Sequence, residues 1–92
     1  MIAGDGTKVE DVKLKVSAGQ ANYLRSLPMH HSQQEVERMD DYSVFTLRIR
    51  PTYDFQQEIL WNGEEMEVLE PLSLRDAMGK KIHGMWNKYK EN

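Results

Sequence analysis

A chain of 92 residues, 39% of them apolar, has the material for one modest core, and a domain of that size buries somewhat over ~60% of its unfolded surface. No run approaches the roughly 18 to 20 consecutive apolar residues of a membrane span, and Met1 to Asp11 has neither the basic start nor the apolar stretch of a secretory signal. With no cysteine there is no disulfide framework and no thiolate metal site, so the composition fits a single domain in a reducing cytoplasm.

Met1 to Thr7 is Gly-rich and has no hydrophobic period, so residues 1–10 read as a leader and residues 11–92 as the domain. From Val12 the chain alternates, with Val12, Leu14 and Val16 on one side and Lys13, Lys15 and Ser17 on the other, the pattern of a half-buried strand. Ser17 is placed to cap a helix, with Gln20 completing a capping box and Ala21, Leu24 and Leu27 on one face; Pro28 stops it. Met29 to Gln33 is a polar loop, Gln34 to Met39 a short charged strand, and Asp40-Asp41 the turn of a hairpin.

Tyr42 to Arg50 is the clearest strand: Phe45, Leu47 and Ile49 face one way, and Val44, Thr46, Arg48 and Arg50 the other. Pro51-Thr52 opens a second helix to about Trp61 in which Phe55, Ile59 and Leu60 share a face, and Gly63 suits a left-handed position just past its end. Glu64 to Glu70 reads as a fourth strand closed by Pro71. Ser73 with Asp76 begins a last helix, in which Leu74, Met78, Ile82, Trp86 and Tyr89 recur every three or four residues.

This order predicts an α+β fold, a ferredoxin-like β-α-β-β-α-β sandwich with an additional C-terminal helix. The first and third strands, with their clean apolar faces, belong in the centre of its sheet. The second and fourth belong at its edges, where charged side chains oppose edge-to-edge pairing.

The charges are unevenly placed. Asp54 to Glu70 holds six acidic residues and no Lys or Arg, whereas Arg75 to Lys90 holds five basic residues against Asp76 alone, so local fields outweigh the net charge of -3. The carboxylates lack calcium-loop spacing, and the glycines at Gly4 and Gly6 open no phosphate-binding pattern. His30 and His31 are adjacent, which suits a metal or a general base, but the third histidine, His83, is distant; Ser32 has no orienting acid or oxyanion motif nearby. Ser32 and Gln33 instead suit a loop whose backbone needs side-chain partners. No acid, base and nucleophile converge, so neither catalysis, metal nor cofactor is expected.

Two surfaces carry the functional expectation. Alternation puts Lys13, Lys15, Arg48 and Arg50 on the face opposite the core, where four cations could meet a nucleotide or a single-stranded nucleic acid. Outward aromatics for base stacking are lacking there, since Val44, Thr46, Arg48 and Arg50 face out. The last helix presents Met78, Ile82, Met85, Trp86 and Tyr89, a stripe that needs its own core, a second subunit or another domain to cover it.

Read together, Val12-Lys13-Leu14-Lys15-Val16, the His30-His31-Ser32-Gln33 loop, Ile59-Leu60-Trp61-Asn62-Gly63, Val68-Leu69-Glu70-Pro71, Leu74-Arg75 and a closing helix to Tyr89 resemble the C-terminal extension (WCX) of WYL-domain bacterial transcriptional regulators. In that family the loop usually carries an aromatic residue, His, Pro, Ser and Gln, so His30, Ser32 and Gln33 match it while Met29 and His31 depart from it. The resemblance implies an upstream winged-helix DNA-binding domain and a WYL domain, with Ile2-Ala3-Gly4 as the last link to it. It further implies a non-catalytic module that pairs protomers into a dimer and couples effector sensing to DNA binding. A sensor of an anionic nucleotide or single strand is the alternative.

Overall fold

The computed structural model describes residues 8–90; the expected leader over residues 1–7 lies outside them. Strand β1 (Glu10–Ser17) follows from the alternation at its centre: Val12, Leu14 and Val16 are fully buried. It starts at Glu10, so the sheet takes the last residue assigned to the leader.

Helix α1 (Ala18–Ser26) begins at Ser17, whose Oγ accepts the Gln20 backbone N–H. Only half of the capping box forms, because the Gln20 amide donates to Asn62 Oδ1 at 2.6 Å and the Ser17 hydroxyl donates to Glu65. These bonds tie the start of α1 to a segment more than forty positions away. Ala21 and Leu24 are buried as expected, but Leu27 lies past the helix end, leaves its period and is exposed.

Strands β2 (Gln34–Arg38) and β3 (Tyr42–Ile49) form the hairpin, closed by the Met39 N–H on the Tyr42 carbonyl at 2.8 Å. A bulge between Glu35 and Glu37 breaks the register and leaves Val36 exposed. Helix α2 (Tyr53–Asn62) is capped by Thr52 Oγ1, which accepts the Phe55 N–H, and it buries Phe55 and Ile59. Gly63 has φ 60° and ψ -131°. The positive φ is as expected, but ψ lies outside the left-handed helical basin, in a region open to glycine. Gly63–Glu65 then forms a 3₁₀ turn closed by the Met66 N–H on the Gly63 carbonyl, so β4 (Met66–Glu70) is shorter than the strand read from Glu64. Helix α3 (Leu72–Lys90) starts one residue before Ser73, which sits inside the first turn and not at its cap; the Arg75 N–H closes that turn on the Pro71 carbonyl.

The described residues form an α+β domain with three α-helices and one antiparallel sheet in the order β2-β3-β1-β4, with β1 and β3 central and β2 and β4 at the edges. Paired residues share a face, so Val12, Leu14, Val16, Phe45, Leu47, Met66 and Val68 form one apolar surface. Ala21, Leu24, Phe55, Ile59, Leu74 and Met78 of the three helices complete the same core.

One polar bridge locks α1 onto this sheet. Arg25 donates from Nε to Glu35 Oε1 at 2.9 Å and from Nη2 to Oε2 at 2.6 Å, and Nη2 also reaches the buried Ser43 hydroxyl at 3.2 Å. Hydrogen bonds from Arg25 and Ser43 hold the Glu35 carboxyl at about 2, below its ordinary 4.5. A folded value below the unfolded one means that the stabilisation is complete above about 4.5 and is lost as pH falls toward about 2. In Glu35→Gln, denaturant midpoints followed across that window should fall less steeply with acid than in the wild type, by about one proton taken up on unfolding.

Candidate functional site

The open face of the sheet brings Lys13, Lys15 and Arg48 together, as the alternation implied, and it adds acids that the two central strands alone did not reveal. Register places Asp11 opposite Arg48, Glu67 opposite Lys15 and Glu70 opposite Lys13. Arg48 Nη1 lies 3.3 Å from Asp11 and Lys13 Nζ lies 3.9 Å from Glu70. Lys15 Nζ stands 4.6 Å from the centre of the Tyr42 ring, a cation-π contact on the same face. Each cation read from the sequence on β1 and β3 therefore has a partner here, and the face is a mixed-charge surface. Asp11 was within reach of the sequence, being two positions before Lys13; Glu67 and Glu70 required the register of β4.

Arg50 lies just past β3. With Arg48, His30, Thr52, Asp54 and Glu58 it rims an open cleft of about 510 Å³ floored by Ile49 and Phe55. His30 reaches it because of how the loop is built. Gln34 pairs with Thr46, so position 32 stands opposite Arg48 two residues further along the same register. There the Ser32 side chain substitutes for a strand backbone: Oγ accepts the Arg48 N–H at 2.8 Å and lies 3.2 Å from the Arg48 carbonyl and 2.7 Å from His30 Nδ1. The Ser32 backbone nitrogen lies 3.2 Å from the same Nδ1. Gln33 works toward the helix, accepting the Met29 N–H at 2.9 Å and donating to the Leu24 carbonyl at 3.1 Å, one of the carbonyls that a helix end leaves free. The rings of His30 and His31 lie 4.1 Å apart, while His83 sits on α3 with Trp86. Among the described residues no three His, Asp or Glu side chains are grouped to hold a metal ion.

The third place is α3. One face runs along it, and its first half is buried: Leu74 and Met78 are 4% and 3% exposed. The same face continues with Ile82, Met85 and Tyr89, and Trp86 flanks it; these are 53%, 48%, 83% and 56% exposed. The reason is length. At 1.5 Å per residue the helix spans about 28 Å, whereas the five residues of β4 span about 17 Å. α3 runs back along β4, so Met78 and Ile82 share a groove with Met66 and Val68, and the residues beyond overhang the end of the sheet. There Met85, Lys81 and Lys88 meet Leu60 and Trp61 at the end of α2 across an open groove of about 590 Å³, and Trp61 is 88% exposed. Of the stripe read from the sequence, the structure buries Met78 and leaves Ile82, Met85, Trp86 and Tyr89 about half exposed or more. No helix among them is long and apolar enough to cross a membrane.

A family model described as the WCX domain matches residues 8–86. No curated protein matches the chain.

Proposed function

The chain belongs to the WCX domain family, and from that premise we propose that it is the non-catalytic C-terminal module of a cytoplasmic WYL-type transcriptional regulator, pairing protomers and relaying effector state to a DNA-binding domain upstream. The strand order, with β1 and β3 inside and β2 and β4 outside, supports a ferredoxin-like sandwich with α3 as the additional element. The observation that carries the functional reading is the overhanging half of α3. A helix continued for about two turns past its sheet with its apolar face outward is an interaction surface in waiting, and Trp86 and Tyr89 are residue types that anchor interfaces. Relay follows from position: α3 joins the exposed stripe to the core through Leu74 and Met78, so a partner that moves the overhang moves a rigid element packed on the sheet.

A second reading, an anionic effector held by Lys13, Lys15, Arg48 and Arg50, is favoured by the convergence of Arg48, Arg50 and His30 on one cleft. It is opposed by the acids that pair three of the four cations across the sheet face or share the cleft rim. Sedimentation velocity over a dilution series, with a labelled single-stranded oligonucleotide titrated in parallel, separates the two. The first reading expects reversible self-association in the micromolar range, about -8 kcal/mol, and no saturable binding of the oligonucleotide. Binding that weakens with salt and is lost in Arg48→Glu, with no self-association, would replace it by the second.

A further inference from the structure

The overhang lies beside a concentration of acid. The end of the sheet past which α3 projects carries Asp41, Glu64, Glu65 and Glu67 around one depression that Lys15 also lines, while the projecting arm ends in Lys88 and Lys90, the latter over the Trp86 ring. Among the described residues no ion pair joins these lysines to these carboxylates. Basic tip and acidic base are separated by the length of the arm.

That arrangement is self-complementary. We propose, resting on the pairing role above, that the occupant of the apolar face is a second copy of this chain whose α3 arm lies antiparallel on the first. In that pose Ile82, Met85, Trp86 and Tyr89 meet their counterparts. The Lys88 and Lys90 tip of each copy reaches the Glu64 and Glu65 base of the other. A two-fold axis satisfies both contacts at once, since what the first copy offers the second receives. A partner of one charge sign, nucleic acid included, would match the lysines and meet the carboxylates with repulsion. Antiparallel packing also opposes the two helix dipoles, and the lysines sit near the negative end of each.

The test uses two charge-reversed variants of the whole chain, Glu64→Lys with Glu65→Lys and Lys88→Glu with Lys90→Glu, compared by sedimentation alone and as a mixture at low salt. All four side chains are exposed or helix-terminal, and circular dichroism verifies that each variant stays folded. Each variant alone places like charges in both contacts, so self-association should weaken at least tenfold. The mixture restores opposite charges in both contacts, so a heterodimer should form at near wild-type affinity and weaken with salt. A wild-type chain that stays monomeric overturns both this pose and the pairing role. A wild-type dimer that neither variant weakens, or a mixture no tighter than its components, overturns the pose and leaves the pairing role standing.

Discussion

Met85→Asp should abolish self-association while leaving the monomer folded. Met85 is half exposed in the single chain, faces Trp61 and Leu60 across an open groove and contributes nothing to the core. The substitution therefore costs the monomer little beyond helix propensity, about 0.5 kcal/mol. In a two-fold dimer each substitution is present twice, so two carboxylates would enter the apolar contact without partners. A loss of at least 100-fold in affinity, about 2.7 kcal/mol or 1.4 kcal/mol for each copy, is a conservative expectation. Concentration-dependent sedimentation checks it, with the thermal midpoint of a dilute sample as the control. An unchanged dimer would remove Met85 from the interface.

Met78→Ala should do the reverse. Seven residues earlier on the same face, Met78 is buried in the cluster formed with Ile59, Met66 and Val68. Truncating it removes transfer energy and leaves a cavity, about 2 to 4 kcal/mol out of a total stability on the order of 5 to 10 kcal/mol for a domain of this size. At roughly 5 °C per kcal/mol the midpoint falls by about 10 to 20 °C, measured by thermal unfolding of dilute protein. A fall of only a degree or two would mean that α3 does not seal the core at β4. The two methionines share a residue type, a helix and a face. What separates them is the end of the sheet between them.

That contrast also marks what the sequence could convey. Alternation at Val12, Leu14 and Val16 and again at Phe45 and Leu47 specified the central strands, because a period of two with one buried face admits one arrangement. Ser17, Thr52 and Gly63 announced the ends of helices through local chemistry. Where the reading departed from the structure, a distant residue had intervened. Gln20 leaves its capping box for Asn62 and Ser17 turns toward Glu65. The register of β4 brings Glu67 and Glu70 onto the basic face. The polar character of the loop was legible, but Ser32 finds Arg48 only through the hairpin register. The stripe on α3 was visible in full, yet its period does not change where cover ends. Which half lies in the core depends on the length of β4 relative to the helix, which no local pattern encodes.

The overhang makes one more demand on physics. Its stretch from His83 to Lys90 includes Gly84, which costs about 1 kcal/mol relative to alanine inside a helix, and isolated helices of this length are marginal in water. Backbone hydrogen exchange across the chain, recorded at high dilution and again at several hundred times that concentration, therefore reads the central claim most directly. Protection of amides from His83 to Lys90 should be low in the dilute monomer and rise steeply with concentration, while amides of β1 and β3 keep the same protection throughout. Protection of the overhang that is independent of concentration, whether low or high, would contradict the account: nothing of this chain's own would then be covering that face.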